Sequence, residues 1–582
     1  MAPGGHGGPA MKNADVAAVF DAIADILEIQ GENAFRIRSY RQAARTIGDL
    51  TEPLSDLVAE GKDLKALPGI GESLAAKIHD ILETGTCQTL EDLKKTVPPH
   101  LPDLLGVKGL GAKRVKALYE QLKVTSLEEL KAAAEAGKIR DLPGMGEKTE
   151  ENILKGLATL AAEAGRISIK DADQEAEAIL RHLAAVKAIK RSEPAGSFRR
   201  RRETIGDLDI LVEASDRAKA ADGIAACPGV AEVLARGEEK VVVRLSSGLE
   251  VDFRFFEEAS FGAAMMYFTG SKVHNIALRK RAQKEGWKLN EYGLFEGEKR
   301  IAGRAEEDIF KKLGLPWIAP ELREDRGEID AAEQGALPTL IQPRDIRGEL
   351  HCHTDSSDGH HTLQEMVEAA RARKYQYLAI TDHSKAVTVA HGLDAARMRR
   401  QADRIREVAA GLKDLRLLAG VEVDILKDGR LDLPEKVLAD LDWVVASVHS
   451  IFNLDEGAMT ARLLAAIGSG VVHCLGHPFG RLIGKRDPIQ FDADRVFAAC
   501  AENGVCLEIN SYPDRLDLPD TYCRRARDMG CTMAITTDAH KIPDFDFVKY
   551  GVWVARRGWL RKGDVLNTLS ASALAKRLAK RV

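Results

Sequence analysis

Ten of the chain's fifteen histidines lie between His351 and His540, at the ends of short apolar runs. Seven such runs follow one another. Glu349-Leu350-His351-Cys352-His353 opens the series, with Asp358 close behind. Tyr377 to Thr381 leads to Asp382 and His383, Leu418 to Val421 leads to Glu422, and Trp443 to Val448 leads to His449. Val471 to Leu475 leads to His477, Val505 to Ile509 to Asn510, and Met533 to Thr537 to Asp538 and His540. Helical stretches such as Leu363 to Arg373 and Ala395 to Gly411 separate them. Alternating strands and helices build a parallel sheet, and continuously apolar strands are buried on both faces. Active groups at the C-terminal strand ends then predict a distorted (β/α)7 barrel. A single histidine there would be structural; this many at one mouth call for metal. Imidazole and carboxylate suit Zn, Mn or Fe better than Mg alone, and a bridging carboxylate allows up to three ions.

A second constellation lies upstream. Gly196-Ser197-Phe198-Arg199-Arg200 precedes Asp207-Leu208-Asp209 on a predicted strand. Strand side chains alternate faces, so Asp207 and Asp209 share one face while Leu208 and Ile210 enter a core. Leu249 to Phe255 alternates as well, which puts Asp252 within reach if the two strands are neighbours. Close carboxylates repel unless a cation separates them. Three can hold the two ions of an in-line phosphoryl transfer, Mg or Mn. A bare Asp-x-Asp could instead be a solvated strand edge; the third carboxylate argues against that. Tyr267-Phe268-Thr269-Gly270-Ser271 follows, with Asn275 and Arg279 along a predicted helix.

The first third carries a recurring pattern: Leu67-Pro68-Gly69-Ile70-Gly71, Val107-Lys108-Gly109-Leu110-Gly111 and Leu142-Pro143-Gly144-Met145-Gly146. Paired glycines permit a tight turn. The helix that follows offers free N–H groups to phosphate. This helix-hairpin-helix pattern grips DNA backbone without reading bases, and Lys113 and Lys148 stand where they would add charge.

Residues 180–320 resemble the palm and thumb of the X-family DNA polymerases, the family of DNA polymerase beta, on the motifs just quoted and on Asn290-Glu291-Tyr292. The resemblance implies metal ligation by Asp207, Asp209 and Asp252, and triphosphate binding by Ser197, Arg200 and Gly206. It implies discrimination against a ribose by Tyr267 and Phe268 before the Gly270 turn, and minor-groove contact by Asn275 and Arg279. Two positions depart from the beta enzyme: Lys272 replaces an acidic residue and Glu250 an arginine. Lys77, with Tyr40 and Arg41 upstream, matches the Schiff-base lysine of that enzyme's 5′-deoxyribose-phosphate lyase domain. Residues 346–575 resemble the PHP (polymerase and histidinol phosphatase) phosphoesterases. Their ligand positions fall on His351, His353, Asp358, His383, Glu422, His449, His477, Asp538 and His540, while Asp382, His391, His473 and Asn510 are read as supporting or core groups. The implied chemistry is metal-assisted phosphoester hydrolysis, in this company a 3′–5′ exonuclease, with AP-endonuclease activity as an accompaniment.

The expected architecture is therefore multidomain, α+β and α/β. It comprises a flexible tail (1–10), a lyase-like helical domain (11–90), a helix-hairpin-helix fingers-type domain (91–165), a nucleotidyltransferase palm (166–260), a thumb (261–320), a linker (321–345) and the barrel (346–582). A net charge of −5 makes the DNA footprint local, carried by helix ends and patches such as Arg199 to Arg202. Eight cysteines without a Cys-x-x-Cys fit a reducing cytoplasm, and no apolar run has the roughly 20 residues of a membrane span. The expected partners are gapped or primer-template DNA and deoxynucleoside triphosphates, with a monomer favoured. The rival readings are a DNA-binding scaffold with a dead polymerase site and a barrel acting as a small-molecule phosphatase.

Overall fold

The computed structural model describes residues 11, 13–48, 50, 54–59, 61–107, 110–163 and 165–579, so the expected tail 1–10 and Gly109 lie outside the described residues. The chain forms two compact units that divide at residues 164 and 165. In the first, helices Asn13–Gln30, Ala34–Gly48 and Glu72–Thr84 bury Phe20, Ile23, Leu27, Ile47, Ile78 and Ile81 in one core. Helices Ala112–Leu122, Leu127–Glu135 and Glu147–Glu163 close a second core around Val115, Leu118, Leu130, Ile139 and Ile153.

The second unit opens with a five-stranded sheet. In chain order its strands are β1 (Ile189–Pro194), β2 (Asp207–Ala214), β3 (Val230–Arg236), β4 (Lys240–Leu245) and β5 (Glu250–Phe255). Their order in space is β1-β2-β5-β4-β3, with β2 and β5 parallel and the other pairs antiparallel. Leu208, Ile210 and Val212 of β2 are buried with helices Ile169–Leu183 and Arg217–Ala225. On the opposite face Leu211 packs under helix Glu258–Thr269, with Phe261, Ala264 and Met265. That helix covers Leu211 but leaves Asp207 exposed and Asp209 half-buried. A three-stranded antiparallel ribbon, β6 (Trp287–Asn290), β7 (Gly293–Glu296) and β8 (Lys299–Ala302), follows with helices Lys272–Lys284 and Glu306–Lys312.

Seven parallel strands then stand side by side in chain order: β9 (Gly348–Glu349), β10 (Tyr377–Ile380), β11 (Arg416–Asp424), β12 (Trp443–Ser447), β13 (Cys474–Leu475), β14 (Cys506–Asn510) and β15 (Met533–Thr536). A parallel bridge between Cys352 and Ala539 joins the two edges, with the His353 N–H donating to the Ala539 carbonyl at 2.9 Å. Helix Leu363–Ala372 shows how such an element is specified. Thr362 and Glu365 form a capping box, and Leu363, Met366, Val367 and Ala370 follow a helical spacing and are buried. Burial of each large aliphatic stabilises by about 1.5–3 kcal/mol, so Val367→Asp would break the docking.

One apolar cluster runs from the sheet of β1–β5 into the barrel. The stretch 321–345, expected as a linker, is packed, not a free spacer. Arg323 is fully buried, donating to Glu306 Oε1 at 2.7 Å and to the Ile318 carbonyl at 2.9 Å. Leu322, Glu328 and Ile341 are buried as well. None of the eight cysteines is in a disulfide and all are buried, and among the described residues no helix is long and apolar enough to cross a membrane.

Two candidate metal centres

The first centre arises from register. Asp209 pairs with Asp252 across the parallel β2–β5 ladder, and Asp207 with Glu250. Burial, followed by the charges of Asp207 and Asp252, pushes the Asp209 carboxyl up to about 7. Such a group is short of a cation. Asp252 Oδ2 already accepts from Arg254 Nη2 at 2.9 Å and Lys240 Nζ at 3.2 Å, two partners that the sequence reading missed. Gly196 has a left-handed backbone (φ 61), and a Cβ there would collide with Asp209 Oδ2, so only glycine fits. Ser197, half-buried, lies in the short helix Gly196–Arg199, and Gly206 immediately precedes Asp207.

Arg200, read as a triphosphate-binding residue, already has partners within the protein. Its Nε donates to Glu324 Oε1 at 3.1 Å and its Nη1 to the Thr269 carbonyl at 2.5 Å. Tyr267 and Phe268 are half-buried and meet edge to face at 5.1 Å. Gly270 ends their helix at φ 68. Asn275 Nδ2 donates to the Tyr267 carbonyl at 2.6 Å, tying it to that aromatic pair, and Arg279 is exposed on the same helix. Glu250 pairs with Arg244 at 2.9 Å.

The second centre lies where the barrel strands end. Glu422, buried at the middle of the cluster, is 2.9 Å from His383 Nδ1, 2.9 Å from His477 Nε2, 3.2 Å from His449 Nε2 and 3.4 Å from His351 Nε2. Asp358 stands 3.3 Å from His540, 3.6 Å from His383 and 3.8 Å from His353. Asp538 is 3.1 Å from His353 and 3.5 Å from His351. Three ligand groups result, namely His353–Asp358–His383–His540, His351–His353–Glu422–Asp538 and His383–Glu422–His449, each within 4.8 Å. They share His353, His383 and Glu422, the bridged arrangement expected for several ions. Asp358, not the nearby His360 or His361, belongs to these groups.

Burial alone would raise the Glu422 carboxyl, but His449, His383 and His351 hold it well below the usual range. Burial opposes the charged form of His449 too, yet Glu422 and Asp424 lift it to about 10. Burial, with His540 and His383 beside it, presses His353 down to about 4. Even so, His351 Nε2, His353 Nδ1, His383 Nδ1, Glu422 Oε2 and His477 Nδ1 are buried without a hydrogen-bond partner in the protein. Orphaned buried polar atoms are costly, and all of these but His477 Nδ1 belong to residues of the three ligand groups, so the residues present fit divalent ions.

Supporting carboxylates orient the imidazoles. Glu508 Oε1 sits 2.5 Å from His351 Nδ1, Asp424 Oδ1 is 3.1 Å from His449 Nδ1, and Asn510 Nδ2 donates to Asp538 Oδ2 at 3.0 Å. Glu508 and Asp424 were not read from the sequence. Asp424 had a signal, because it follows Glu422 by the two residues that return a strand to the same face. Asp382 acts as support, accepting from Thr354, Ser357 and Gln401.

In the first unit, Gly71 and Gly111 are the N-caps of helices Glu72–Thr84 and Ala112–Leu122. Neither makes a side-chain cap, so the first N–H groups have no capping partner from that residue. Gly69 and Gly144 adopt left-handed backbone (φ 79 and 77), and Gly146 accepts from Thr149 and Glu150 N–H groups. Lys113 and Lys148 are exposed on the first turns. Lys77 is half-buried, with Nζ donating to Ser73 Oγ at 3.0 Å. Tyr40 is buried, and Arg41 is held by Asp21, Asp25 and Glu28, so both brace the helical core.

A parallel strand pair bearing three carboxylates, next to a closed seven-stranded barrel bearing eight grouped candidate ligands with His477 against Glu422 beside them, defines a two-centre phosphoryl-transfer protein. Family models match at the DNA polymerase beta thumb (264–324), a helix-hairpin-helix domain (11–87), a SAM-like helix-hairpin-helix tandem (101–159) and a PHP domain (349–512). The chain is 38% identical over 564 residues to the DNA polymerase/3′-5′ exonuclease PolX of Bacillus subtilis, covering 96% of this chain and 98% of that one. It is 25% identical over 354 residues to rat DNA polymerase lambda, covering 54% and 56%. It is 30% identical over 233 residues to a probable phosphatase of Thermoanaerobacter, covering 38% of this chain and 89% of that protein. The chain belongs to the X-family DNA polymerases that carry a PHP domain.

Proposed function

We propose that the two centres work on the same kind of DNA end in opposite directions. The chain is a DNA polymerase with a 3′–5′ exonuclease, acting on gapped or primer-template DNA in repair, as a cytoplasmic monomer. The observation that carries this is the coexistence of the Asp207–Asp209–Asp252 face and the barrel cluster in one unit. Divalent ions supply charge to phosphate oxygens and lower the pKa of the attacking group: Mg or Mn in the palm, and Zn, Mn or Fe in the barrel.

In the palm, Asp207, Asp209 and Asp252 would hold those ions, and Ser197, Arg200 and Gly206 would bind the triphosphate. Because Arg200 already faces Glu324, an incoming triphosphate competes with that carboxylate. Tyr267 and Phe268 would exclude a ribose 2′-hydroxyl, and Asn275 and Arg279 would meet the nascent pair. The first helical N–H groups after Gly71, Gly111 and Gly146 would bind DNA phosphates, with Lys113 and Lys148 adding charge. In the barrel, the nine ligands would hold the ions, and Glu508 and Asp424 would fix the His351 and His449 rings. The same family reading gives Lys77 a Schiff-base role, which borohydride trapping on an incised abasic site tests directly.

Primer extension by wild type and by Asp209→Ala tests the palm; equal extension would reject the assignment. Shortening of 3′-recessed DNA with Mn²⁺ tests the barrel; no shortening by wild type, or none lost in His353→Ala, would reject it. The Thermoanaerobacter relative supports a second reading, a small-molecule phosphatase. Hydrolysis of a sugar phosphate with intact DNA would favour that reading.

A further inference from the structure

The loop Gly196–Glu203, which carries Ser197 and Arg200, rests on the barrel at three of its last four residues. Arg557, at the end of barrel helix Val548–Arg557, donates from Nη1 to the Arg200 carbonyl at 2.7 Å and to Glu324 Oε1 at 3.0 Å. That same Glu324 oxygen accepts from Arg200 Nε. Arg557 Nη2 lies 2.8 Å from Asp520, and the residue is only 4% exposed. One turn earlier on that helix, the Trp553 ring stacks on the Arg201 guanidinium at 3.9 Å. Arg201 has a left-handed backbone (φ 58), a conformation that L side chains seldom adopt and that neighbouring contacts must hold. Beyond it, Glu203 pairs with Arg481 of the barrel at 2.7 Å.

We propose that Trp553 and Arg557 of the barrel are positioning residues for the nucleotide-binding loop of the palm. The inference rests on the reading of Ser197 and Arg200 as triphosphate-binding groups. Neither barrel residue is among the nine ligands of the nuclease centre. Arg557 fixes both the carbonyl of Arg200 and the carboxylate that its guanidinium faces, so it sets the direction in which Arg200 points. Its planar fork reaches three acceptors from two separate nitrogens, a spacing that the single nitrogen of an ammonium group does not reproduce. Trp553 holds the next residue against the barrel. The arrangement makes nucleotide affinity, and not DNA hydrolysis, the property that depends on these side chains.

The test uses full-length Arg557→Ala, Arg557→Lys, Trp553→Leu and Arg200→Ala. Each is assayed for single-nucleotide insertion across deoxynucleotide concentrations and, on the same preparation, for shortening of a 3′-recessed strand. Arg557→Ala is expected to raise KM for the nucleotide roughly 10- to 100-fold while KM for DNA and the shortening rate stay at wild-type values. Arg557→Lys should fall between, and Trp553→Leu should raise KM about threefold. If Arg200→Ala raises KM but Arg557→Ala does not, the proposal is overturned and the nucleotide reading of the loop survives. If Arg200→Ala also leaves KM unchanged, that reading fails and the proposal falls with it. Should Arg557→Ala lose both activities through misfolding, Trp553→Leu decides, and an unchanged KM there overturns the proposal.

Discussion

The palm and the barrel solve the same electrostatic problem in different ways. The palm sets three carboxylates on one sheet face with Asp207 in solvent, and it offsets Asp252 with the cations Lys240 and Arg254. The barrel buries three carboxylates among six histidines and backs the rings with Glu508 and Asp424. An open face suits ions that arrive with a triphosphate and leave with pyrophosphate. A buried, interlocked cluster suits ions that stay. The fold of each region produces its half of this contrast: an uncovered strand end beyond Leu211, and a closed ring of strand ends.

Breaking the barrel should give the largest effect. Glu422→Gln removes the charge shared by five imidazoles, and DNA shortening should fall to background while primer extension continues at the wild-type rate. Glu508→Gln weakens only the hold on His351, so shortening should drop about 10- to 100-fold, as measured by strand-shortening rates at saturating Mn²⁺.

The palm gives a pH signature. The Asp209 carboxyl titrates at about 7 when folded, above the 3.8 of an unperturbed aspartate. The folded chain therefore binds the extra proton, and stability falls as pH rises from the lower value through the higher one. Asp209→Asn in metal-free protein should raise the melting temperature, by an increment that grows up to about pH 7 and is flat above it. Calorimetry in chelator checks this; a gain that shrinks with rising pH would contradict it. Lys240→Met should give the smallest effect. It frees Asp252 from an exposed ion pair, worth about 0.2–1 kcal/mol, and should lower the Mg²⁺ needed for half-maximal extension by up to about fivefold.

The barrel was legible because its chemistry falls at regular places. Each apolar run ends in a histidine, carboxylate or amide, and strand periodicity put Asp209 and Asp252 on facing positions. What escaped depends on partners distant in sequence. Glu508 sits inside an apolar run, and nothing local reveals that it faces His351, 157 residues earlier. The stretch 321–345 looked like solvated linker because charge usually marks surface, yet Arg323 is buried against Glu306 and Ile318. Arg200 was read from its motif alone, and the motif does not show Glu324, 124 residues on.

Metal content after exhaustive dialysis tests the central contrast most directly. Wild type and Asp209→Ala should retain the same tightly held ions, up to three per chain, and Glu422→Gln should lose most of them. Equal retention in Glu422→Gln, or loss of the retained ions in Asp209→Ala, would contradict the division between a permanent barrel centre and a transient palm centre.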